Sequence, residues 1–146
     1  STNDLKSLVE TRSILEIEAI KLTCIRATPE QITEIEEAHN EFAKKVSENE
    51  SGLDEDLIFH LKVAEFCQNS VLYSMITLLT PEMLKISHEK KTCEKQRFIK
   101  ALEENEKIIA ALKSQDPNQC VEAMKEHMDN TKLSFQKRSL EAKMNF

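Results

Sequence analysis

One glycine and three prolines in 146 residues leave this chain few places to turn. Glycine opens the left-handed backbone region, and proline fixes φ and removes a donor, so the two mark most breaks between elements. A fold of many short strands needs such breaks about every 8–12 residues. Here they fall only at Pro29, Gly52, Pro81 and Pro117, which requires long elements. Leu, Glu, Lys, Ala and Ile dominate, tryptophan is absent and tyrosine occurs once, a composition that favours helix over strand. The expected fold is all-α, one domain over residues 1–146, long enough to enclose a core.

All three prolines follow a capping residue, in Thr28-Pro29-Glu30-Gln31, Thr80-Pro81 and Asp116-Pro117-Asn118-Gln119. Each combination reads as a helix start. Seven helices are expected: Asp4–Cys24, Thr28 to a frayed end at 47–52, Leu53–Cys67, Val71–Leu79 behind Asn69-Ser70, Glu82–His88, Cys93–Lys113, and Asp116–Leu140. The first carries the stripe Leu5, Leu8, Arg12, Leu15, Ala19, Leu22, and the second Ile32, Ile35, Ala38 or His39, Phe42, Val46. The third carries Leu53, Leu57, Leu61, Ala64, and the fourth is apolar nearly all round, which predicts burial on most sides. The last two carry Phe98, Ala101, Leu102, Asn105, Ile108, Ile109, Leu112 and Val121, Met124, His127, Met128, Thr131, Phe135. The first pattern is already helical at its outset, which suits a segment of a longer protein.

Charge and cysteine content narrow the function. A net charge of −6 argues against a nucleic-acid grip by this segment, because such binding needs clustered Lys and Arg. Lys90-Lys91 and Lys137-Arg138 are short, acid-diluted and read as solvated surface. Cys24, Cys67, Cys93 and Cys120 form no paired motif and read as reduced core thiols. No apolar run reaches the length of a membrane span and no signal peptide opens the chain. A cytoplasmic protein is expected.

Several polar side chains interrupt the apolar stripes. Asp56 and His60 stand four residues apart on one helical face, at the edge of a stripe and aimed inward. Asn105 and His127 lie on two further stripes, and Arg12 on the first. Buried polar groups need partners. A divalent metal would satisfy several together, since Asp oxygen and His nitrogen suit zinc, nickel, manganese or iron. Arg12 needs an anion, either a protein carboxylate such as Glu16 or an acidic ligand. Periodicity alone does not bring these groups to one point.

A family resemblance attaches to the same residues. Asp56-x-x-Phe59-His60, followed by Ala64-Glu65-Phe66-Cys67-Gln68-Asn69-Ser70-Val71-Leu72, resembles the core of the FadR C-terminal (FCD) ligand-binding domain of GntR-family bacterial transcription regulators. Glu10-Thr11-Arg12-Ser13-Ile14-Leu15-Glu16 is similar to that family's opening helix. The closing motif is matched by Glu104-Asn105 through Leu112, then Asp116 and Met124-Lys125-Glu126-His127. The likeness spans essentially the whole chain in order. It implies an antiparallel bundle of six to seven helices around a central cavity. Many members hold a divalent metal there through one Asp and three His, and with it a carboxylate effector. Carried over, the metal ligands are Asp56, His60 and His127, with zinc, nickel or manganese as the metal. Asn105 replaces the remaining histidine as a weak or water-mediated ligand. Arg12 and Asn105 would contact the effector, a sugar acid or other organic acid.

The resemblance further implies a homodimer that reaches operator DNA through an N-terminal winged helix-turn-helix, of which these residues hold nothing. Two other readings stand beside this one: a metal-free acyl-ligand sensor, and a purely structural dimerisation module. An enzyme is not expected. Glu36-Glu37-Ala38-His39 is a single Glu-x-x-His where a di-iron bundle needs two, and His88-Glu89 lacks the second zincin histidine.

Overall fold

Of the three proline-led helix starts that the sequence predicts, two form in the computed structural model, which describes residues 2–89 and 95–144. At α2 (Pro29–Ser47) the Thr28 hydroxyl accepts from the Gln31 amide at 3.1 Å, and the Gln31 side-chain oxygen accepts from the Thr28 amide at 3.0 Å. This reciprocal pair satisfies N–H groups that a helix start leaves open. At α6 (Pro117–Met144) the Asp116 carboxylate accepts from the Asn118 amide at 2.9 Å.

The third start does not form. The helices expected at Val71–Leu79 and Glu82–His88 are a single helix, α4 (Ser70–Glu89), with Pro81 inside it. Thr80 supplies the reason. Its side chain is fully buried and its hydroxyl has no hydrogen-bond partner, so it caps nothing. Ile76 and Thr80 lie one turn apart on the inward face, and packing of that face against the core holds the turn before Pro81 helical. The true cap of α4 is Asn69, whose side-chain oxygen accepts from the Leu72 amide at 3.0 Å.

The remaining elements are α1 (Thr2–Arg26), α3 (Leu53–Glu65) and α5 (Lys95–Ser114). Six helices therefore account for every regular element among the described residues. Cys93 and Lys90-Lys91 lie outside those residues, as do the side chains of Phe135, Lys137 and Arg138. Cys24, Cys67 and Cys120 are buried free thiols, as expected. No helix among the described residues is long and apolar enough to cross a membrane.

α1 packs against α6, α4 and α3, while α2 packs against α3 and α5, and α5 against α6. The main core gathers Ile20, Ile35, Phe59, Ile108, Leu112 and Met124. Cross-helix contacts fix the directions. Thr23 Oγ1 donates to the Val63 carbonyl at 2.6 Å and Arg26 Nη1 to the Cys67 carbonyl at 3.0 Å, so α1 and α3 run the same way. Along α6 the order reverses, with Cys24 meeting Cys120 and Arg12 acting on His127.

Three faces differ from the sequence expectation. In α3 the buried line is Asp56, Phe59, His60, Val63 and Ala64, with Leu53, Leu57 and Leu61 only half-buried, because the helix turns its polar edge to the bundle interior. In α1 the buried line is Val9, Arg12, Glu16, Ala19, Ile20 and Thr23, with Leu5, Leu8, Leu15 and Leu22 only half-buried beside it. The helix is flanked on two sides, and its centre line faces the bundle interior. In α4, Val71, Met75 and Leu78 are 69%, 45% and 79% exposed, so this helix is apolar on a face that meets water rather than buried on most sides.

Candidate functional site

The inward polar groups of α3, α5 and α6 meet. Within α3 the first turn is acidic, and Asp56 and His60 turn inward with Phe59 and Val63. His60 Nε2 lies 3.4 Å from Asp56 Oδ1. From α5, the Asn105 amide donates to the same Asp56 oxygen at 3.3 Å. The ring of His127 on α6 stacks on that of His60, centroids 5.1 Å apart and planes at 21°. All four residues are buried.

Burial pushes the Asp56 carboxyl up, but His60, His127 and the Asn105 amide outweigh it and lower its pKa from 3.8 to about 2. Burial lowers His127 from 6.5 to about 4, against the opposing pull of Glu104. At neutral pH the site therefore holds a carboxylate beside a neutral imidazole, the protonation states that metal binding requires.

A fifth residue, absent from the sequence-derived set, completes the arrangement. Glu104 is buried, and its Oε1 stands 2.7 Å from His127 Nδ1. A carboxylate only accepts, so Nδ1 carries the proton and Nε2 keeps its lone pair. Asn130 Nδ2 donates to the other Glu104 oxygen at 2.9 Å. In the structure the inward face of α5 is two residues wide at 104/105, 108/109 and 111/112, which places the glutamate beside Asn105.

Arg12 is brought to the edge of this group and not into hydrogen-bond contact with it. It is buried, its nearest carboxylate is Glu16 at 3.9 Å from Nε, and its charge helps keep His127 unprotonated. His39 packs between Phe42 and Phe59, 6.5 and 5.8 Å from their centroids, with Nε2 3.6 Å from Glu106 Oε1. Phe59 in turn meets the His60 ring at 5.3 Å, so His39 stands one ring removed from the site.

The donor set suits a divalent metal in its chemistry. Both ring nitrogens of His60 and the Asn105 side-chain oxygen are buried without a hydrogen-bond partner. His127 offers Nε2 with Nδ1 held by a carboxylate, the usual way in which a ligating imidazole is oriented. Two ligands about 2.1 Å from one ion stand about 3.0–3.4 Å apart, close to the Asp56–His60 and Asp56–Asn105 separations of 3.4 and 3.3 Å. Among the described residues, no three His, Cys, Asp or Glu side chains are already gathered as a metal-ready group. The His60–His127 stack keeps those rings side by side.

The described fold is an all-helical bundle that closes on a buried polar centre. Residues 7–130 match the FCD domain family, and the chain belongs to it: it is the ligand-sensing regulatory domain found in GntR-family regulators. It is 28% identical over 131 residues to the HTH-type transcriptional regulator LutR of Bacillus subtilis, covering 87% of this chain and 60% of that protein. It is 23% identical over 133 residues to the Uxu operon regulator of Haemophilus influenzae, covering 88% and 50%. The chain thus spans half to three-fifths of these relatives' length. In fold it is similar to E. coli McbR/YncC, with a TM-score of 0.82, 20% identity and coverage of 94% of this chain and 67% of that one. It is also similar to a Streptococcus agalactiae GntR structure, with a TM-score of 0.77, 23% identity and coverage of 90% and 60%. The role of such regulators is non-enzymatic, in line with the sequence reading.

Proposed function

We propose that this chain senses a small carboxylate, a sugar acid or other organic acid, with the help of a divalent metal held by Asp56, His60 and His127, with Asn105 as a weak or water-mediated fourth ligand. The observation that carries this reading is the meeting of Asp56, His60, Asn105 and His127 from three helices, with unpartnered donor atoms at its centre. Zinc, nickel and manganese fit the nitrogen and oxygen donors, and the Asn105 amide shifts the balance toward manganese or added water. The metal would supply positive charge for a carboxylate, and Arg12 would meet the same anion from α1.

Effector binding would bias the packing of α1, α3, α5 and α6 around the centre, and so the spacing of DNA-reading domains in a homodimer. Those domains, expected as winged helix-turn-helix units, lie outside these 146 residues. The exposed apolar line Val71, Met75, Leu78 on α4 is the surface best suited to the dimer contact.

Elemental analysis of tag-free protein purified without chelator tests the metal. Near-stoichiometric zinc, nickel or manganese is expected in the parent, falling at least about tenfold in His127→Ala. No metal in either sample would sink the metal site. The Asn105–Asp56 hydrogen bond would then mark a metal-free polar pocket whose effector is held through Arg12.

A further inference from the structure

Glu104 and Asn105 are neighbours on α5, yet they reach opposite sides of the polar centre. The Asn105 amide donates to Asp56 Oδ1 on α3 at 3.3 Å. Glu104 turns to α6, where Oε1 stands 2.7 Å from His127 Nδ1 and Oε2 accepts from Asn130 Nδ2 at 2.9 Å. His127 and Asn130 are three residues apart, so they lie on one face of α6 and close on the same carboxylate. On the surface beside them Lys107 Nζ donates to Glu126 Oε1 at 3.0 Å, which pins the same register of α5 on α6.

Two features set Glu104 apart from a surface acid. It is 2% exposed and His127 4%, so neither trades this contact for water. The contact is also the shortest in the polar centre, against 3.3 Å for Asn105–Asp56 and 3.4 Å for Asp56–His60. Holding the ring in place asks only for a neutral acceptor such as a backbone carbonyl, and a buried carboxylate costs more than that. A carboxylate does what the carbonyl does and adds negative charge behind the ring, which makes the far nitrogen a better ligand for a cation. The rest of the donor set gives this a use. Asp56 is its only charged ligand, and the Asn105 amide is a weak one.

We infer that Glu104 is a positioning residue of the metal site: with Asn130 behind it, it keeps the proton of His127 on Nδ1 and strengthens Nε2 as a ligand, offsetting the weak Asn105. This role rests on the metal-assisted reading above and deepens it. Glu104 acts through His127 and does not itself ligate the ion. Without it the ring is free to carry its proton on Nε2, where the proton occupies the lone pair that a metal needs.

Long-range proton–nitrogen NMR spectra of the isotope-labelled 146-residue chain, stripped with chelator at pH 7.5, read which nitrogen of each of the four histidine rings is protonated. His127→Gln identifies the His127 signals. A ring protonated on Nδ1 is expected in the parent and in Glu104→Gln, which keeps an acceptor oxygen. In Glu104→Leu the proton is expected to move, at least in part, to Nε2. Zinc alone, titrated in competition with a chromophoric chelator, should bind about 10–100-fold more weakly to Glu104→Leu than to the parent, with Glu104→Gln between. A parent ring protonated on Nε2, or on both nitrogens, overturns the role of Glu104 and leaves the metal site in place. So does a proton that stays on Nδ1 in Glu104→Leu, or zinc affinity within about twofold of the parent in both variants. The parent spectrum and the near-isosteric Glu104→Gln decide the matter if Glu104→Leu fails to fold. A parent that binds no zinc overturns the metal reading and this role with it.

Discussion

At the scale of single residues, burial and neighbours set the chemistry of the polar centre, and they make a pH dependence that can be signed. His127 is lowered from 6.5 to about 4 in the folded chain, so between those values the unfolded chain binds more protons than the folded one. Stability therefore rises with pH through that window and is lost as pH falls from 6.5 toward 4. Asp56, lowered from 3.8 to about 2, extends the loss below that range. For metal-stripped protein the His127 contribution is of order 1–3 kcal/mol. Urea unfolding at pH 7.5, 5.5 and 4.5 in chelator should show it, and His127→Gln should flatten the slope. A parent whose stability is level across these pH values would refute the assignment. Legibility at this scale was good for residue type and limited for partners. Asp56, His60, Asn105 and His127 stand out because they interrupt apolar stripes. Glu104 does not, because on an acid-rich helix one more glutamate resembles solvated surface until His127 is seen against it.

At the scale of elements, the single glycine shows how tightly the helices are joined. Gly52 precedes α3 with φ +61°, and a Cβ there would lie 2.7 Å from Phe42 Cδ1 and 3.4 Å from Lys45 Cβ. Phe42 is fully buried, so it has little room to move. Gly52→Ala combines a left-handed backbone penalty with a clash against the α2–α3 junction, and should destabilise by about 2–4 kcal/mol in urea unfolding. A loss below about 0.5 kcal/mol would mean that the junction relaxes freely. The left-handed residues after α2, α3 and α5 are Asn49, Gln68 and Gln115, none of them glycine. Those helix ends are accordingly harder to see in sequence than the starts at Thr28 and Asp116, where side-chain caps announce themselves. Thr80-Pro81 carries the same local signal and fails, because Thr80 is drawn into the core with its hydroxyl unpaired.

At the scale of the molecule, α4 is the helix whose surroundings the sequence misjudges. Its apolar composition reads as burial, yet Val71, Met75 and Leu78 face outward along one line. A second copy of the chain would cover them. Leu78 is 79% exposed, so on the proposed homodimer Leu78→Glu should convert the dimer to a monomer at tens of micromolar while leaving the helical circular dichroism unchanged. Sedimentation of parent and variant decides this, and a parent that is monomeric at that concentration would rule the surface out.

What the sequence determined by itself was local: helix throughout, the starts at Thr28 and Asp116, and which side chains sit on inward stripes. These follow from capping, proline chemistry and a 3.6-residue period, all of which act within a few turns. What only the tertiary structure decided was long-range. Interhelix register brings Asn105 to Asp56 across 49 residues and Glu104 to His127 across 23. Packing on both flanks turns Glu16 of α1 inward, and burial of Ile76 and Thr80 draws the turn before Pro81 into the helix that α4 continues. Periodicity assigns a residue to a face, and only the packing of the other helices decides what that face meets.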